Sequence, residues 1–132
     1  MRTALSLLSL TLFLSLATSA CRPPDGGARA GDGDVSVVVE LPADPVVGPT
    51  PITVHLEREG APVRGATVEV TGDMTHAGMV PVVATAVEQA DGSYRAETFA
   101  FDMAGDWVVS VDADLPDGGR ARGEASATVR RP

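Results

Sequence analysis

The chain contains no lysine, and its basic residues are ten arginines set against 18 Asp and Glu, for a net charge of −8. So acidic a protein gains nothing from long-range attraction to phosphate backbones or anionic headgroups, which excludes nucleic-acid binding of the electrostatic kind. We read the missing lysine, beside abundant Ala, Gly and Arg, as coding bias. Cysteine occurs once, at Cys21, so no intramolecular disulfide can staple the fold and stability must come from apolar burial. The longest apolar run is too short to span a bilayer comfortably, and no stretch has the 3.6-residue period of an amphipathic helix. Neither histidine, His55 or His76, stands in a hydrolase-type motif with a nucleophile; this argues against an enzyme.

What is present begins with an address. Met1-Arg2 is followed by an apolar run from Ala4 to Ala17 interrupted only by Ser and Thr, then Thr18-Ser19-Ala20-Cys21. A short charged start, an apolar middle and small residues before a cut describe a secretory signal over residues 1–20. The lone cysteine directly after the small residues matches a lipobox, with Thr18 where Leu is commonest. Lipidation of Cys21 is therefore expected, with the mature chain exported and anchored on the extracytoplasmic side. Without Arg2 the mature charge is −9. Residues 21–34, rich in Gly, Pro and Asp, read as a flexible tether. Asp32-Gly33-Asp34 lacks the downstream acidic ligand of a calcium loop.

From Val35 onward the period becomes two. Val35, Val37, Val39 and Leu41 alternate, as do Ile52, Val54 and Leu56, then Ala66, Val68 and Val70. Further strands are expected over 80–88, 94–101 and 107–113, and a last one with Ala121 to Val129 inward and Arg120 to Arg130 outward. Proline-rich and Gly-containing connections separate them, with Asp91-Gly92 as a hairpin turn. The result is an all-β, immunoglobulin-like antiparallel sandwich of about seven strands over residues 35–132, with Trp107 central.

One stretch between strands looks like chemistry. Gly72-Asp73-Met74-Thr75-His76-Ala77-Gly78-Met79 puts two thioethers and an imidazole into a bend, with Gly72 and Gly78 supplying the bending. Methionine normally fills gaps in cores. Thioether sulfur and imidazole nitrogen together suit Cu(I), which prefers soft ligands, and they cannot be lost to disulfides. Met74, His76 and Met79 are the expected metal ligands, with Met103 as a fourth. The plainer reading makes Met74 and Met79 hydrophobic plugs at the open end of the sandwich and His76 a surface residue. For Met103 packing is the favoured reading. His55, between Val54 and Leu56, is expected to point outward; Asp112, Asp114 and Asp117 read as an acidic turn.

Met74-Thr75-His76-Ala77-Gly78-Met79, then Val80-Pro81-Val82, Gly92-Ser93-Tyr94 and Phe101-Asp102-Met103-Ala104-Gly105-Asp106-Trp107 resemble the YtkA-like and FixH-like domains of bacterial envelope proteins. That resemblance spans the second half of the mature chain. It implies an immunoglobulin-like sandwich outside the cytoplasm, copper handling, and a copper-accepting or oxidase-related partner. This chain departs in using a lipid where FixH-like proteins carry a transmembrane anchor, and in a sparser Met/His loop. The alternative function is a non-metal interaction or accessory module of an envelope complex.

Overall fold

The computed structural model describes residues 27–30, 33–76 and 78–132. The signal expected over 1–20 and the lipidation expected at Cys21 lie outside these residues. Within the stretch read as a tether, Gly27–Ala30 form a strand, β1, paired antiparallel with β2, Val35–Glu40.

Seven main strands follow the alternation: β2; β4, Ile52–Arg58; β6, Thr67–Met74; β7, Val82–Glu88; β8, Tyr94–Ala96; β10, Gly105–Asp114; and β11, Arg120–Val129. Three two-residue strands complete the set: β3, Gly48–Pro49; β5, Ala61–Pro62; and β9, Ala100–Phe101. Every pairing between strands is antiparallel, in the order β1-β2-β4-β8-β7-β6-β10-β11, with β5 beside β4. The fold is the expected all-β sandwich, nearly closed like a barrel. β2-β4-β8 form one sheet and β7-β6-β10-β11 the other; β7 bridges them, pairing with β6 over Val82–Ala86 and with β8 at Val87 and Glu88.

The inward rows fill the core because a strand's side chains alternate between its two faces. Val37, Val39, Ile52, Val54, Val68, Val70, Val109 and Val111 are fully buried, and Trp107, Phe99, Phe101 and Tyr94 are their largest neighbours. Opposite the gap between the sheets, Gly123 lets β11 approach β2: a Cβ there would lie 2.6 Å from Val37 Cγ1. The outward row of β11, from Arg120 to Arg130, is exposed as expected.

Two expectations need correction. The strand expected over 94–101 breaks after Ala96, and its last two residues pair instead with β3 (Gly48 with Phe101, Pro49 with Ala100). The physical reason is a change of phase: Tyr94 and Ala96 face inward, but so do Phe99 and Phe101, which one unbroken strand cannot achieve. The strand expected from Val80 starts at Val82, leaving Val80 and Pro81 in the preceding loop.

Candidate functional site

The Met/His loop leaves the sandwich at the end of β6. Thr67–Met74 runs antiparallel to β10, with Met74 directly opposite Trp107. Directly opposed residues share a face of the sheet, so Met74 lies on the inward side at the rim of the core, half-buried and packed against it. Thr75 N–H donates to the Asp106 carbonyl at 3.1 Å, which extends the contact with β10 one residue past the strand. Beyond it, His76 and Met79 are exposed, Met79 by 37%.

The structure brings Met103 to the same end. It lies in the turn between β9 and β10 and is 46% exposed. Its carbonyl accepts a hydrogen bond from Trp107 Nε1–H at 3.0 Å, which fixes the turn to the core tryptophan. The Met74 methyl reaches across to Gly105, two residues on: a Cβ at Gly105 would stand 2.6 Å from Met74 Cε. With a φ of +143° as well, that position accepts glycine in preference to any other residue.

Of the two glycines expected to bend the loop, Gly78 does so with a φ of +89°. Gly72 does not: it is buried inside β6. Its missing side chain makes room for an aromatic cluster, since a Cβ there would meet Phe99 Cζ at 2.6 Å and Trp107 Cε3 at 3.4 Å. Phe99 meets Phe101 edge-on at 5.2 Å, and Phe101 meets Trp107 at 5.3 Å, spacings typical of attractive ring pairs. The core that Met74 packs against is thus a cluster of edge-to-face rings.

The donor set is soft. Three thioethers and one imidazole lie on two neighbouring segments, two of the sulfurs and the imidazole open to water, and this chemistry fits a Cu(I) ion. Among the described residues no three His, Cys, Asp or Glu side chains gather into a metal-binding group. Asp73, Asp102 and Asp106 are exposed on the same segments, and none forms an ion pair among the described residues. Their field favours the approach of a cation.

The acidic turn is arranged differently. Asp112 faces Arg122, Asp114 faces Arg120, and Asp117 is held 2.9 Å from Arg58 Nη2. Backbone N–H of Gly119, together with the Arg58 guanidinium, holds the Asp117 carboxyl below its ordinary range. These carboxylates are answered by arginines, not left for a cation. His55 points outward as expected, with Nε2 3.1 Å from Glu40 Oε1.

The sequence profile of the YtkA-like family matches residues 29–112, well over half the chain. The chain belongs to the YtkA-like family. The match starts in β1 and ends within β10, so it takes in the Met/His loop, the hairpin before Tyr94 and the Met103 turn, and it extends further toward the N-terminus than the motifs first suggested. β11 lies beyond it, although β11 pairs with β10 along its whole length. No curated protein and no solved structure matches the chain. A YtkA-like domain is an envelope-associated one. Among the described residues no helix is long and apolar enough to cross a membrane.

Proposed function

We propose that this YtkA-like chain is a lipid-anchored envelope module that binds Cu(I) as cargo, through Met74, His76, Met79 and Met103, and passes it to a copper-accepting partner. The observation that carries this reading is the meeting of two distant segments: Met74 at the end of β6 packs its methyl on Gly105, beside the turn that holds Met103. A loop of plugs would have buried Met79 and Met103, yet both are more than one third exposed. Thioethers bind Cu(I) without releasing protons and survive in an oxidising compartment, and no residue of the chain need act as acid, base or nucleophile.

The test is a competition titration of the full chain with Cu(I) and a chelator, with Cys21→Ser in every sample so that the thiol does not compete. A His76→Ala, Met79→Ala double variant is expected to bind at least about tenfold more weakly, as when a metal site loses supporting contacts. Unchanged affinity in that variant refutes the reading.

A second reading rests on a different observation. Val80, Val83 and Val87 are 81%, 57% and 64% exposed along β7 and the loop before it, an apolar stripe of the kind that marks contact surfaces. On this reading the chain is a non-metal interaction module of an envelope complex. It then has no copper affinity, and crosslinking recovers a partner from the wild type but not from a Val83→Arg, Val87→Arg variant.

A further inference from the structure

We infer that Trp107 is the positioning residue of the soft-donor site, setting Met74 and Met103 at a fixed separation without touching the metal; the inference rests on the copper-binding reading above. Two independent contacts converge on this side chain. Through the backbone, Trp107 is the cross-strand partner of Met74, so the ladder between β6 and β10 determines where the first thioether leaves the core. Through the ring, Nε1–H donates to the Met103 carbonyl at 3.0 Å and ties down the turn that carries the second.

The indole can serve as a template because it is buried and held on several sides. It is 2% exposed, Phe101 packs edge-on against it, and Phe99 meets Phe101 edge-on in space opened by Gly72. Gly105, between Met103 and Trp107, completes the frame by leaving room for the Met74 methyl. A buried indole N–H needs a partner, and here the partner is the main chain of the turn that exposes the Met103 thioether. A ligand drawn between Met74 and Met103 therefore meets two thioethers whose main-chain anchors are already held in place, which lowers the ordering cost of binding.

The test uses Ag(I), a diamagnetic soft cation, with the full Cys21→Ser chain. Trp107→Phe keeps an aromatic ring but removes the donor. Its Ag(I) affinity is expected to fall about threefold to tenfold, the worth of one neutral hydrogen bond. A Trp107→Phe, Met103→Ala chain is expected to bind no more weakly than Met103→Ala alone, because Trp107 acts through that turn. Val111→Ala, a core truncation further along β10, destabilises the fold and is expected to leave the affinity unchanged, which separates positioning from general loss of stability. In the chain that retains Trp107, the indole N–H resonance is expected to shift on Ag(I) addition, a readout that needs no core substitution. Equal affinity of Trp107→Phe and its parent, or an indole signal unmoved by bound Ag(I), overturns the inference while leaving copper binding intact. If the parent chain takes up no Ag(I) at all, the copper-binding reading fails and this inference falls with it.

Discussion

Replacing Tyr94 with Phe removes one hydrogen-bonded oxygen and leaves the buried ring in place. Tyr94 is 1% exposed; its hydroxyl donates to the Val63 carbonyl at 2.7 Å and accepts from Ala66 N–H at 3.1 Å. These bonds fasten the connection between β5 and β6 onto β8. The two partners respond differently to their loss. Ala66 is half-buried and its N–H can turn to water, whereas Val63 is buried and its carbonyl stays without a partner. The expected cost is about 1 to 3 kcal/mol, dominated by that carbonyl. For a domain of this size it lowers the thermal midpoint by about 4 to 8 °C per kcal/mol.

The pH dependence supplies a control within the same variant. Burial raises the Tyr94 phenol above its ordinary value, so the folded state favours the neutral form. That contribution is fully present below the unfolded pKa of about 10 and is lost as pH rises through the higher folded value. Urea unfolding from pH 7 to 11 should show the parent losing stability at the alkaline end, with Tyr94→Phe less stable at pH 7 and flatter above pH 10. A variant within about 0.5 kcal/mol of the parent at pH 7 would refute the assignment, because that is the scale of an ordinary surface substitution.

Gly123→Ala places a Cβ 2.6 Å from Val37 Cγ1 and 2.8 Å from Val37 Cβ. The overpacking cost of about 1 to 3 kcal/mol exceeds the roughly 0.5 to 1 kcal/mol gained by replacing a strand glycine, so urea unfolding should show a less stable protein; equal or greater stability contradicts the close approach of β11 to β2. Asp91 and Asp117 have carboxyls held below their ordinary range, the first chiefly by the Ser93 hydroxyl and the second by Gly119 N–H and Arg58. Their contribution is present above the unfolded Asp pKa of about 3.9 and is lost as pH falls through the lower folded values. An Asp91→Asn, Asp117→Asn chain should show a flatter thermal midpoint between pH 4 and pH 2 than the parent, and an identical slope would remove these two groups from the account.

Most of the architecture was legible because the buried apolar residues of β2, β4, β6 and β10 alternate without interruption, and only a strand with one covered face sustains that period. The break after Ala96 leaves a mark in the sequence, the shift of the inward positions from even (Tyr94, Ala96) to odd (Phe99, Phe101), which reading 94–101 as one strand passes over. The role of Gly72 was not legible, because what it accommodates, the Phe99 ring, arrives from 27 positions along the chain. The nearness of Met74 and Met103 was beyond reach for the same reason: it depends on β6 and β10 being paired, a contact between segments that no local pattern records. Met74 packs on the core, with its methyl against Gly105 at the rim.

The bridging position of β7 has a consequence for how this molecule opens. One strand hydrogen-bonded to β6 on one flank and to β8 on the other makes the two halves of the sandwich parts of a single ladder. Through β7 the halves share one backbone ladder, so amides deep in β4 and in β10 are expected to exchange with solvent deuterium through the same large fluctuation.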